Sequence, residues 1–312
     1  MKTQRNQTGR QIILPSRRPP GSALLRLYIL FSLLIPSSPA CLITSCRNEP
    51  IDGPETDEEI YIPVDSTSYT VHFRNLGYAG SEDGRLDLFI YNADGVRDLL
   101  TRISSTGIPD SLRFTGPSRT YTAVAIANSP MDFNPAATER YDSMELLTYS
   151  FSDDSPGCPV MSGTCNIEPG RPCTIDLSPL MARVTLAEIT NTMKGYVRLE
   201  DPRIRLENLN SGAEILRFAG FRPAETIETG EELRLPYDIG IFKQNPMSTL
   251  YCYPNDSPES TIGTPPTVFV LECEINGETC SFRVTLPAIE RNGQVFVDLT
   301  VNGAENFEGK AY

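Results

Sequence analysis

The arrangement with the clearest chemical use in this chain is the thiol at the end of Leu42-Ile43-Thr44-Ser45-Cys46. Apolar residues, then a small residue, then a cysteine are the order of a bacterial lipoprotein signal. Ser45 precedes the cut, Cys46 accepts the lipid, and the mature chain begins at Cys46. Ile43 is acceptable where Leu would be stronger, and Cys41, after Ser-Pro-Ala, is a weaker alternative acceptor. The other chemistry-bearing residues suggest no active site. His72 is the only histidine and sits on the polar side of an alternating stretch, so any Ser-His-Asp machinery would have to use it. G-x-S-x-G, the P-loop and the dinucleotide fingerprint are missing. Asn92-Ala93-Asp94-Gly95 lacks the further acids of a calcium loop and reads as a turn, and Glu55–Glu59 reads as a solvated charge run. No catalytic residue, metal site or cofactor is expected.

Cys41 and Cys46 apart, six cysteines remain: Cys158, Cys165, Cys173, Cys252, Cys273 and Cys280. An even set in an exported chain suggests disulfides. Asn276-Gly277 is a strong two-residue hairpin signal that pairs Ile275 with Glu278 and sets Cys273 opposite Cys280. A Cys273–Cys280 disulfide and two separate buried thiols are both open. The bond would fall at a hydrogen-bonded pair, where Cα atoms lie wider apart. The spacing of Cys158 and Cys165 does not suit zinc.

The elements around these residues follow from patterning. Residues 1–45 form the signal peptide: Lys2, Arg5, Arg10, Arg17, Arg18 and Arg26 are its basic part, and Leu24–Ile35 is its apolar part. That run is shorter than a membrane span, contains Arg26, and is broken by Pro36 and Pro39. Of the 27 Lys and Arg, six lie in this leader, leaving 21 against 40 Asp and Glu, a net charge of −19 for the rest. Such a surface excludes nucleic acid as a partner and disfavours a polybasic membrane face. Residues 46–59 are a polar, acidic tether.

Beyond it the chain is mostly strands. Tyr69, Val71 and Phe73 alternate with Thr70, His72 and Arg74; Leu86–Tyr91 and Tyr121–Ala127 follow. Pro135–Ser150, with Asn134 as its cap, is predicted as a helix, and Ser152–Pro172 as a boundary loop. Thr174–Leu177, Ala182–Ile189, Tyr196–Leu199, Ile204–Leu206, Leu250–Tyr253, Val268–Ile275, Ser281–Leu286 and Val295–Val301 are the later strands. Short strands with Pro/Gly punctuation favour β-sandwiches, and the length suits two: residues 60–173 and 174–303, with 304–312 as a short tail.

Several segments, taken together, resemble the fimbrillin family, the lipoprotein subunits of surface fimbriae in Bacteroidales. Arg85–Asn92 resembles its early core strand and turn, Arg119–Asn128 the strand ending in Ala-Asn, and Met181–Leu186 the opening of its second domain. Tyr251–Asn255 is similar to a recurrent strand end. Pro287-Ala288-Ile289-Glu290-Arg291-Asn292 with Gln294–Val301 is similar to the late I-x-R-N turn and strand. The resemblance implies an all-β fold of two transthyretin-like β-sandwich domains, here with a short helix in the first. It also implies assembly with fimbrial subunits by strand addition: an arginine-specific protease removes the first strand of a stalk subunit, and a neighbour's strand fills the groove. Four buried aliphatics at about 1.5–3 kcal/mol each would hold such a strand with about 6–12 kcal/mol gross.

On this chain Tyr69, Val71 and Phe73 correspond to the exchangeable strand, Arg85 to the maturation cleavage site, and Arg74 to a less apt one. Family stalk subunits carry further C-terminal donor strands, whereas this chain ends at Tyr312, soon after Val301. The expectation is therefore an uncleaved, non-enzymatic anchor or accessory subunit on the cell outer membrane. A stalk subunit cut near Arg85 and a carbohydrate-binding outer-membrane lipoprotein are the alternatives.

Overall fold

The computed structural model describes residues 65–76, 84–217, 225–256 and 265–312. The expected signal peptide, Ser45, Cys46 and the tether at 46–59 lie outside the described residues. The first half contains β1 (Ser66–Asn75), β2 (Arg85–Asn92), β3 (Leu99–Thr106), β4 (Ser111–Pro117) and β5 (Tyr121–Ala127). Single helical turns α1 (Pro135–Thr138) and α2 (Tyr141–Met144) then lead to β6 (Thr148–Ser150), β7 (Met161–Ile167) and β8 (Cys173–Pro179).

These strands make one seven-stranded path, β3-β2-β5-β7-β8-β1-β4. It bends between β7 and β8, which pair only at Met161–Pro179 and Ser162–Ser178. The two arms enclose a common core that includes Val71, Leu88, Ile90, Phe114, Tyr121 and Ile175. Gly163 makes the bend: a Cβ there would fall on the Asp176 carbonyl oxygen and 2.7 Å from Ile175 Cγ2. β2 and β5 are buried on both faces, so their sequences read as nearly continuous apolar runs rather than alternating ones. Their second face, with Phe89, Tyr91, Val124 and Ile126, packs against Phe133, Tyr141, Tyr149 and Tyr253.

The second half contains β9 (Ala182–Asn191), β10 (Glu200–Asn210), β11 (Gly212–Glu214), β12 (Thr226–Thr229) and β13 (Leu233–Arg234). It continues with β14 (Ser248–Cys252), β15 (Val268–Ile275), β16 (Glu278–Thr285), β17 (Gln294–Val301) and β18 (Phe307–Ala311). The sheets β12-β10-β15-β16 and β14-β9-β17-β18 sandwich a core that includes Val184, Leu206, Phe269, Phe282 and Val297. β6 and β11 pair separately. The protein is thus all-β, with two sandwich layers in each half and very little helix.

Several expectations need correction. Asn134 does cap, its Oδ1 accepting from Ala136 N at 3.1 Å, but the helix breaks after one turn. Arg140 is extended because the chain here bonds to the β2–β3 connection, through Leu99 N to Glu139 O (2.8 Å) and Tyr141 N to Arg97 O (3.1 Å). Those bonds bring Tyr141 edge-on to Tyr91 at 5.6 Å, with the Arg97 guanidinium 3.6 Å above its ring. The boundary loop at 152–172 contains β7, and the tail at 304–312 contains β18, which pairs with β17. β8 belongs to the first sheet, so the first sandwich runs through Pro179. Of Tyr196–Leu199 only Leu199 bonds in strand fashion, bridging Ile239.

The Asn276-Gly277 turn forms with both φ positive, 53° and 81°, as a type I′ turn demands, and Cys273 faces Cys280 in register. The disulfide allowed for there is not made: both are separate buried thiols, at a hydrogen-bonded pair, where Cα atoms lie wider apart. The disulfide found joins Cys165 on β7 to Cys173 on β8.

Gly163→Val tests the bend. Its branched side chain is expected to lower the unfolding free energy by about 1–3 kcal/mol in urea denaturation. Gly240→Ala, whose Cβ enters open space, is expected to change it by no more than about 0.5 kcal/mol.

Candidate strand-exchange site

β1 is an interior strand. Along one edge it pairs antiparallel with β4 from Ser66–Pro117 to His72–Ser111, and along the other it pairs parallel with β8 from Val71–Cys173 to Asn75–Leu177. Its alternation does what the sequence requires: Tyr69 and Val71 are buried, Phe73 is partly buried, and His72 and Arg74 are exposed. Tyr69 stacks on Phe114 with centroids 4.9 Å apart and meets Tyr121 edge-on at 5.3 Å. Its hydroxyl donates to Pro117 O at 2.9 Å and accepts from Arg119 N at 3.1 Å, so the buried polar end is satisfied.

Charge ties the far end. Arg74 donates to both carboxylate oxygens of Asp176 on β8, at 2.7 and 2.6 Å. These hydrogen bonds raise the Arg74 pKa and lower that of Asp176. Beyond the strand, Leu76 N donates to Leu177 O at 2.9 Å, and Asn292 Nδ2 donates to Leu76 O at 3.3 Å.

Arg85 opens β2. Its Nη1 donates to Asp132 at 2.7 Å, its Nε to Asp87 at 2.8 Å, and its Nη2 to Met131 O at 3.1 Å. The bond to Asp132 is the largest cause of its raised pKa. Asp87 is fully buried and also accepts from Arg102 Nη2 at 2.9 Å and Ser104 Oγ at 2.5 Å. Leu86, the next residue, is fully buried and pairs with Ser105 on one side and Ala127 on the other. Both arginines singled out from the sequence are therefore engaged in ion pairs. Arg74 fastens β1 to β8, and Arg85 fastens the start of β2 to the residues after β5.

Two features of the site escape sequence reasoning. One is the Cys165–Cys173 disulfide beside the β1 ladder, whose available signal was the Pro169-Gly170-Arg171-Pro172 turn between its cysteines. The other is Arg291, which is buried and donates to a set of backbone carbonyl oxygens and a serine hydroxyl. Nη2 donates to Ser178 O (2.6 Å), Ser162 Oγ (2.9 Å) and Ser162 O (3.2 Å); Nε to Pro179 O (3.2 Å); and Nη1 to Ile215 O (2.5 Å). Burial pushes its pKa down to about 9. It joins the β16–β17 connection to β7, β8 and the segment after β11. Among the described residues no group of three or more His, Cys, Asp and Glu could hold a metal, and no helix is long and apolar enough to cross a membrane.

The fold is shared with proteins of Bacteroidales. A candidate cell-adhesion protein from Parabacteroides distasonis matches with a TM-score of 0.58 and 12% identity, over 80% of this chain and 96% of that one. One from Bacteroides eggerthii matches at 0.55 and 14% over 80% and 96%. A fimbrilin from Porphyromonas gingivalis matches at 0.54 and 12% over 77% and 90%. No protein-family model and no curated protein sequence matches the chain.

Two measurements probe the site. Asp176 has a folded pKa below its unfolded value of about 3.9, so its stabilisation is present above that value and lost as pH falls through the lower one. Thermal unfolding from pH 7 to about pH 2 is expected to lose less stability in Asp176→Asn than in the wild type. Arg291→Lys, whose single ammonium cannot serve this set of acceptors, is expected to cost at least about 2 kcal/mol in urea unfolding, since each buried acceptor left unmade costs about 1–3 kcal/mol.

Proposed function

We propose that this chain is a non-enzymatic, surface-exposed fimbrial lipoprotein of the cell outer membrane, an anchor or accessory subunit that holds or caps a fimbria. Cys46 carries the lipid after cleavage behind Ser45, and residues 46–59 give the folded body reach. Strand addition joins it to a fimbrial subunit, whose strand extends a sheet by backbone hydrogen bonds. Among the described strands β3 and β4 end the first sheet, each with a single ladder partner, and offer edges for such pairing.

The observation that carries this reading is how firmly β1 and Arg85 are held. β1 has ladders along both edges, the stacked Tyr69 and the Arg74–Asp176 pair. A protease cutting behind Arg85 needs that side chain withdrawn from Asp87 and Asp132, and the flanking chain drawn out of its pairing with β3 and β5. A chain that keeps β1 also stays continuous with its N-terminal lipid, whereas a cut at Arg85 would sever it. The fold shared with a fimbrilin and with candidate adhesion proteins supports the fimbrial setting.

The test is the N-terminal state of protein recovered with fimbriae. Mass spectrometry is expected to find an acylated Cys46, labelled palmitate is expected to enter the wild type, and Cys46→Ala is expected to lose both the label and the envelope association. A mature terminus at Leu86 would instead make the chain a polymerising stalk subunit. Glycan-array binding lost on changing the exposed Tyr196 and Tyr237 would make it a carbohydrate-binding lipoprotein.

A further inference from the structure

The second sandwich is closed along one side and open along the other. On the closed side β18 leans on β16: Phe307 meets Phe282 edge-on at 5.3 Å, and a Cβ at Gly309 would collide with Val284. On the other side β12 and β14 end their sheets, and among the described strands each has a single ladder partner, β10 and β9. Between them lies a cleft of about 460 Å³, within the roughly 300–1,000 Å³ of ligand-sized sites.

Its floor is apolar, built from Leu206, Leu209 and Leu250, with Met181 and Phe151 from the neighbouring segments. Among the described residues its charged lining is acidic: Asp154, Glu231 and Glu232. Asp154 is already satisfied, accepting from Ser155 N, Val160 N and Tyr253 Oη at 2.8, 2.9 and 3.1 Å. Glu232 is shared with Arg203 at 3.3 Å, and Glu231 is exposed at the rim. An apolar cleft with an acidic mouth selects a ligand that has an apolar body and a positive charge close by. Among the described strands the outer edges of β12 and β14 have no ladder partner, and an extended chain can pair there while dropping alternate side chains inward. Among the described residues the lining holds no Asn, Gln, Lys or Arg.

We infer that the β12–β14 cleft binds an extended polypeptide segment of a partner, with an apolar side chain in the cavity and an adjacent Lys or Arg at Glu231. This goes beyond the fimbrial reading, because it places a partner's segment on the second sandwich, away from β3 and β4, and needs no particular N-terminus.

The experiment is selection of short random peptides displayed on phage against the immobilised full chain, followed by affinity measurement of the best synthetic peptide. Enriched peptides are expected to carry an apolar residue within two positions of a Lys or Arg. Thr229→Trp, which fills the cleft from the exposed edge of β12, and Glu231→Lys, a surface change that leaves the fold intact, are each expected to raise Kd about tenfold or more. Binding is also expected to weaken with salt. No enrichment over a support without bait, enrichment without basic residues, or unchanged affinity in Glu231→Lys would overturn the inference. So would selection of peptides that bind Thr229→Trp as tightly as the wild type.

Discussion

The first sandwich depends on one strand pairing twice. β4 ends its sheet, and among the described strands its ladder runs to β1 alone. β1 in turn joins it to β8 and, through the bend at Gly163, to β7 and the other layer. Without β1, Phe114 loses the ring it stacks on, and β4 loses its backbone partners. The physical requirement is therefore continuous occupancy of this position by some strand with inward side chains like those of Tyr69 and Val71. An exchange mechanism and a permanently retained strand both meet it; they differ in which chain supplies the residues.

The position is braced from three directions. The Cys165–Cys173 disulfide ties β8 to β7 beside the Val71–Cys173 register pair, near where those strands have ceased to bond. Asp176 is used twice, its backbone crossing over Gly163 and its carboxylate taking Arg74. The β16–β17 connection reaches across from the second half, with Asn292 on Leu76 and Arg291 on Ser162, Ser178 and Pro179. The seat of β1 is thus coupled to the second sandwich through consecutive side chains of one loop.

Much of this was legible in the chain. β2 and β5 are apolar runs long enough to read unaided, β1 alternates cleanly, and the Asn276-Gly277 turn fixed the register of β15 and β16. β7 was hidden because its sequence, Met-Ser-Gly-Thr-Cys-Asn-Ile, is shaped by a close backbone approach that only Gly163 permits, and such composition looks like a loop. β3 lies at an edge and is only half-buried, so its apolar residues are few. The helix failed because residues 139–141 are claimed by the β2–β3 connection, a contact no local pattern encodes. The expected roles of Arg74 and Arg85 came from their places in the chain, whereas their partners Asp176 and Asp132 lie far away in sequence. Arg291 could be singled out as part of a turn, but a buried cation with carbonyl partners is a purely tertiary fact.

The acceptors around Arg291 have a consequence for the medium in which the two halves stay joined. The exposed Arg74–Asp176 attachment is a pair of opposite charges in water, and dissolved ions weaken it. The seam at Arg291 is closed to solvent and rests on hydrogen bonds to backbone carbonyl oxygens, which mobile ions reach poorly. Brine loosens the first more than the second, and a change of salinity would therefore work on the strand while sparing the seam between the sandwiches.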